Sequence, residues 1–96
     1  MCGIFGINRT SNKEFINKFV NLQKHRGPDG SNYFLDENLT LIHNRLSILD
    51  HEFGSQPMRY ENLIVVFNGE IFNSPELRKI LEREGYNFTS KNSDTE

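Results

Sequence analysis

The chain has 96 residues, a single cysteine and a formal net charge of −2, so it holds one domain at most, or a piece of one. Its 35% hydrophobic and 25% charged residues exclude disorder by composition, and its slight negative charge supplies no basic field for nucleic acid or an anionic membrane. One cysteine cannot form an intrachain disulfide, no stretch approaches a membrane span, and the N-terminus lacks a secretory signal. The expected location is therefore cytoplasmic. A chain of this length buries roughly 60–65% of the surface its unfolded form exposes, so the core is small.

Met1 to Ile7 (MCGIFGI) is apolar and punctuated by glycine. It reads as a buried strand whose glycines allow another backbone to approach closely. Asn8 to Asn12 is polar loop. Lys13 to Lys24 then sets Phe15, Ile16, Phe19, Val20 and Leu22 near one face of a helix. HRGPDG at 25–30 ends it, because Gly27-Pro28 and Asp29-Gly30 are both turn dipeptides. Tyr33 to Leu35 and Leu39 to His43, separated by Asp36-Glu37-Asn38, read as a hairpin. RLSILD at 45–50 is strand or ordered loop, and His51 to Met58 is loop. Leu63 to Phe67 is the strongest strand by composition, bounded by Asn62 and Asn68-Gly69.

Ser74 to Glu84 carries a full set of helix signals. Ser74 suits the N-cap, Pro75 the first turn, and Glu76 the positive end of the dipole. Leu77, Ile80 and Leu81 form a stripe for burial, Arg78 and Glu82 are spaced to pair, and Gly85 suits a left-handed stop. Tyr86 to Phe88 reads as the start of another strand. Ser93 with Glu96 three residues later has the pattern of a capping box, which leads to the expectation that a helix begins there and that the sequence is truncated. A polar tail with that spacing by chance is the alternative.

Cys2 is the first candidate for chemistry. Removal of Met1 would leave one residue carrying both a thiol and a free α-amine, a nucleophile and its general base together. A buried, inert cysteine in an apolar strand is the competing reading. Arg45 lies among apolar neighbours and needs a partner, either a structural carboxylate such as Asp50 or Glu70, or the carboxylate of a substrate. The Asn68 amide and the Gly69 N–H follow a strand and could face a developing oxyanion, although Asn-Gly is also a hairpin-turn dipeptide. Asp29 and Asp94 read as turn formers. His25, His43 and His51 lack metal-ligand spacing, and no HExxH, CxxC or GxGxxG occurs, so no metal or nucleotide site is expected.

Taken in order, MCGIFGI, HRGPDG, RLSILD, the Gly-Ser-Gln-Pro-Met run at 54–58, NGEIFN and SDTE resemble the class II glutamine amidotransferases, and within them the glutamine-dependent asparagine synthetases. The likeness spans residues 1–96. Phosphoribosyl-pyrophosphate amidotransferases share the CGIFGI start but usually continue with HRGQ, and aminosugar synthases differ at NGEIFN. Phe72 stands where the family often has Tyr, and the spacer from Ile7 to His25 is shorter than in many members.

The resemblance implies an α+β fold, the N-terminal-nucleophile hydrolase αββα sandwich of antiparallel sheets, of which residues 1–96 would form the first part. It implies that Cys2 attacks the side-chain amide of L-glutamine, with Asn68 and Gly69 as the oxyanion hole. Arg45 would grip the substrate carboxylate, Leu46, Ser47, Ile48 and Leu49 would line the pocket, and Glu70 and Asp94 would lie near the α-amine. No cofactor is expected in this segment. ATP and Mg²⁺ would belong to a C-terminal synthetase domain that amidates aspartate and whose Ser-Gly-Gly phosphate loop is not in this sequence. A homodimer is compatible with the family. Competing expectations are a non-catalytic fragment or relic that retains a glutamine site, and an amidotransferase serving another carboxylate. Half a sandwich would leave apolar faces uncovered, so little activity is expected of residues 1–96 alone.

Overall fold

A computed structural model describes residues 1–48 and 52–96. Three strands, β1 (Gly3–Ile7), β2 (Gly30–Leu35) and β3 (Thr40–Arg45), form an antiparallel sheet in the order β1-β3-β2. The central strand pairs Phe5 with Ile42 on one side and Tyr33 with Ile42 on the other. Because strand side chains alternate, Thr40, Ile42 and Asn44 share one face, and Leu41, His43 and Arg45 share the opposite one.

Helix α1 (Lys13–Leu22) covers the first face. The Asn12 side chain accepts the Phe15 N–H at 2.8 Å and caps the helix, worth about 1 kcal/mol. Ile16 and Ile42 are the buried hydrophobic core, at 2% and 0% exposure. Each contributes about 1.5–3 kcal/mol by leaving water. The Phe5 ring sits 5.6 Å from Phe15 and 4.3 Å from Phe19 between centroids. Asn44 donates its side-chain N–H to the Val20 carbonyl at 2.8 Å, and the Thr40 hydroxyl donates to the Arg9 carbonyl at 2.8 Å. The short spacer after Ile7 therefore still closes the helix onto the sheet. Two details depart from the sequence reading. The helix stops at Leu22 and continues as turns, leaving Leu22 exposed. Gly3 and Gly6 make room for the side chains of Gln23 and Leu41 rather than for a second backbone.

The hairpin expected around Asp36 is longer at its open end, running to Gly30 and Arg45. Its turn is held by the Asp36 carboxylate, which accepts the N–H groups of Asn38 and Leu39 at 2.8 and 2.7 Å.

A second antiparallel pair, β4 (Met58–Tyr60) and β5 (Leu63–Val65), turns through Glu61 at φ 52. Met58 was expected in loop, and the strand expected over Leu63 to Phe67 ends at Val65. Leu63 is 65% exposed, so this strand is an open face rather than a buried one. The Arg59 guanidinium lies over the Phe34 ring at 5.4 Å, and so brings the hairpin against the face of the first sheet opposite α1. The α+β class and the antiparallel sheets agree with the expected partial sandwich.

Helix α2 (Ser74–Arg83) forms where expected, with Pro75 in its first turn and Gly85 at φ +97 after its end. The N-cap is Asn73 rather than Ser74, and no side chain caps it. Leu77, Ile80 and Leu81 are exposed, because no sheet covers them among the described residues. Arg78 does not turn to Glu82. It donates to the Ser90 carbonyl and hydroxyl and to the Ser93 carbonyl at 2.8, 3.1 and 3.1 Å, and lies 4.1 Å above the Phe88 ring. Fixed carbonyls and a ring outcompete a solvated carboxylate. Tyr86 to Phe88 is not strand, and Glu96 does not reach back to Ser93. Its carboxylate accepts the N–H groups of Thr89 and Ser90 at 2.6 and 2.8 Å.

Candidate active site

The site grows from the open end of the first sheet. Cys2 lies just before β1, and the register Gly3↔Asn44 brings it beside the residues that follow β3. Its sulfur accepts the Leu46 N–H at 3.3 Å and lies 3.6 Å from the Leu46 carbonyl oxygen. Arg26 donates from Nε to the Cys2 carbonyl at 3.3 Å.

HRGPDG does more than end a helix. Gly27 packs so tightly on β3 that any Cβ would overlap the Asn44 carbonyl group. Asp29 donates its backbone N–H to the Arg45 carbonyl at 3.0 Å and accepts the Ser47 N–H on its carboxylate at 2.7 Å. Reading Asp29 as a simple turn former missed this brace on Arg45 to Ser47.

The opposite wall comes from the segment after β5 and from the C-terminal residues. Gly69 has the Phe67 ring against it, and an alanine Cβ would sit 2.7 Å from the Phe67 Cζ. Phe67 donates its N–H to the Gln56 side-chain oxygen, and Gln56 in turn donates to the Thr95 hydroxyl at 3.1 Å. The Ile71 N–H donates to the Asp94 carboxylate at 2.8 Å. Arg78 anchors residues 90–93 from behind, through its bonds to Ser90 and Ser93.

Between these walls is a cavity of about 250 Å³. Cys2, Arg45, Leu46, Ile48, Asn68, Gly69, Glu70 and Asp94 all line it. Residues 2 and 94, nearly the whole chain apart in sequence, thus share one space. Ser47 is absent from the lining, and its N–H serves the Asp29 brace. Leu49, like the possible Arg45 partner Asp50, lies outside the described residues. The volume is just below the roughly 300–1,000 Å³ typical of drug-sized ligands and suits a small molecule. The Arg45 guanidinium and the Glu70 and Asp94 carboxylates on the lining complement the two ends of a free amino acid.

Sequence reasoning missed His43 and Gln56 as cavity residues. His43 is 1% exposed with its Nε2 unpartnered. Burial and the neighbouring Arg45 charge lower its pKa to about 4, against an opposing hydrogen-bond contribution from the Phe67 backbone. The available signal was its spacing of two from Arg45 on one strand, which puts both on the cavity face.

The sequence profile of the glutamine amidotransferase domain family matches residues 1–96. The chain belongs to this family. It is 42% identical to asparagine synthetase [glutamine-hydrolyzing] 1 of Bacillus subtilis, over 100% of the chain and 16% of that protein. It is 39% identical to asparagine synthetase B [glutamine-hydrolyzing] of Escherichia coli, over 81% of the chain and 15% of that protein. Asparagine synthetase [glutamine-hydrolyzing] 2 of Lotus japonicus is 41% identical, over 84% of the chain and 15% of its own length. The chain therefore spans about a sixth of the length of these curated relatives. The motif resemblance to glutamine-hydrolysing asparagine synthetases agrees with this set. Among the described residues of this amidotransferase chain, no helix is long and apolar enough to cross a membrane.

Proposed function

We propose that this amidotransferase chain hydrolyses the side-chain amide of L-glutamine, with Cys2 as nucleophile once Met1 is removed. The observation that carries the reading is the shared cavity of Cys2, Arg45, Asn68, Gly69, Glu70 and Asp94. Met1 lines that cavity too, so its removal would uncover the Cys2 α-amine where the reaction occurs.

The α-amine takes the thiol proton as sulfur attacks the amide carbon. Negative charge develops on the amide oxygen, where the Asn68 amide and the Gly69 N–H are the proposed donors. Collapse breaks the C–N bond, the α-amine returns the proton to nitrogen, and ammonia leaves a γ-glutamyl thioester. Water then attacks the thioester carbon and frees glutamate and the thiol. Arg45 pairs with the substrate α-carboxylate, and Glu70 and Asp94 with its α-amine. Leu46 and Ile48 form the floor, with the Leu46 N–H steadying the sulfur.

Within a longer protein of the relatives' kind, the ammonia would pass to a synthetase domain that uses ATP and Mg²⁺ to amidate aspartate. An acceptor other than aspartate leaves the Cys2 chemistry unchanged. The test is Cys2→Ala in the full-length protein. Glutamine hydrolysis should vanish while synthesis from added ammonia persists. Retained glutaminase activity would overturn Cys2 as the nucleophile.

A further inference from the structure

The Gly-Ser-Gln-Pro-Met run is one of the motifs that carry the family resemblance, yet the proposed chemistry gives its glutamine no task. Gln56 is 7% exposed and lines the same cavity. Its side-chain amide ties together the two segments that make up the wall opposite Cys2. The oxygen accepts the N–H of Phe67, which immediately precedes the proposed oxyanion donors. The nitrogen donates to the hydroxyl of Thr95, which immediately follows the proposed amine-binding Asp94. Asp94 is further fixed to the strand-end loop by the Ile71 N–H. The spacing between the 68–69 donors and the amine-binding Asp94 is therefore held by this planar amide together with the Asp94–Ile71 bond.

We propose that Gln56 is a positioning residue that sets this span to the length of glutamine and so discriminates against asparagine, one methylene shorter. The inference rests on the reading of the cavity as a glutamine site. A bound asparagine that satisfies Arg45 and Asp94 places its amide carbon short of Cys2 and its oxygen short of the 68–69 donors. A rigid span turns that shortfall into lost rate, and a difference of one methylene in a well-fitted site corresponds to roughly 10–200-fold discrimination. A loose span lets Asp94 and the 68–69 donors adjust to the shorter substrate. Gln56 touches no reacting atom in this scheme and acts through Phe67 and Thr95.

The test uses the full-length protein and the ratio of kcat/KM for glutamine to kcat/KM for asparagine. Both substrates are assayed on the same preparation, so the concentration of folded enzyme cancels in the ratio. Gln56→Met keeps side-chain length and removes both hydrogen bonds. Thr95→Val removes one end, and Thr95→Ser retains the hydroxyl. The ratio should fall about tenfold or more in Gln56→Met and Thr95→Val and recover in Thr95→Ser. If Gln56→Met does not fold, the threonine pair carries the test. A ratio unchanged in the foldable variants, with Cys2-dependent hydrolysis intact, overturns the clamp alone. Hydrolysis that survives Cys2→Ala overturns the glutamine-site reading and the clamp with it.

Discussion

The Cys2 sulfur accepts the Leu46 backbone N–H at 3.3 Å, which ties the start of the chain to the residue that follows Arg45. The proposed nucleophile and the proposed carboxylate grip therefore cannot move independently. The same strand end is braced from outside by Asp29.

That brace predicts the effect of Asp29→Ala. Loss of a charge-assisted hydrogen bond to the Ser47 N–H frees the segment that lines the cavity behind Arg45. Hydrogen bonds to charged groups are worth about 1.5–3 kcal/mol, so the KM for glutamine should rise roughly ten- to a hundredfold. Steady-state kinetics on the full-length protein measure it, with a smaller change in kcat.

Gly69→Ala acts on the opposite wall. Its Cβ would sit 2.7 Å from the Phe67 Cζ, so the ring or the backbone must shift. The Asn68 and Gly69 donors move with it. Loss of one oxyanion donor costs about 10²–10³ in kcat. The fall should appear mainly in kcat, with glutamine KM changing severalfold at most.

His43 predicts a pH dependence of stability. Burial and Arg45 hold its pKa near 4, against an ordinary 6.5 in the unfolded chain. Between these values the unfolded state binds the extra proton and the folded state does not. Its neutral form is therefore without penalty above about pH 6.5, and stability falls as pH drops from 6.5 toward 4. The loss should be on the order of 2–3 kcal/mol. Thermal or urea unfolding at stepped pH should show this slope, and His43→Gln should flatten it.

The small core predicts the largest stability loss. Ile42→Ala empties a site at 0% exposure and should cost about 2–5 kcal/mol. Asn12→Ala removes the α1 cap and should cost about 1 kcal/mol. Urea denaturation compares the two directly.

Periodicity made β1, α1 and the β2–β3 hairpin legible, because alternation and helical spacing act within a few residues. Burial of α2 was not legible. The stripe Leu77, Ile80 and Leu81 states a capacity for burial but not a partner, and it stands exposed. Arg78 shows the same limit, since an i,i+4 spacing cannot reveal that Ser90 and Ser93 offer better acceptors. The cavity residues of the recognised motifs were legible through family resemblance. The cavity places of His43, outside those motifs, and of Gln56, inside one of them, were not, because their surroundings depend on strands and loops far away in sequence.

The most direct measurement is covalent capture by an electrophilic glutamine analogue, followed by peptide mass mapping of the full-length protein. The account predicts one adduct, on the sulfur of an N-terminal Cys2 that has lost Met1, abolished by excess glutamine. An adduct elsewhere, or capture that persists in Cys2→Ala, would contradict it.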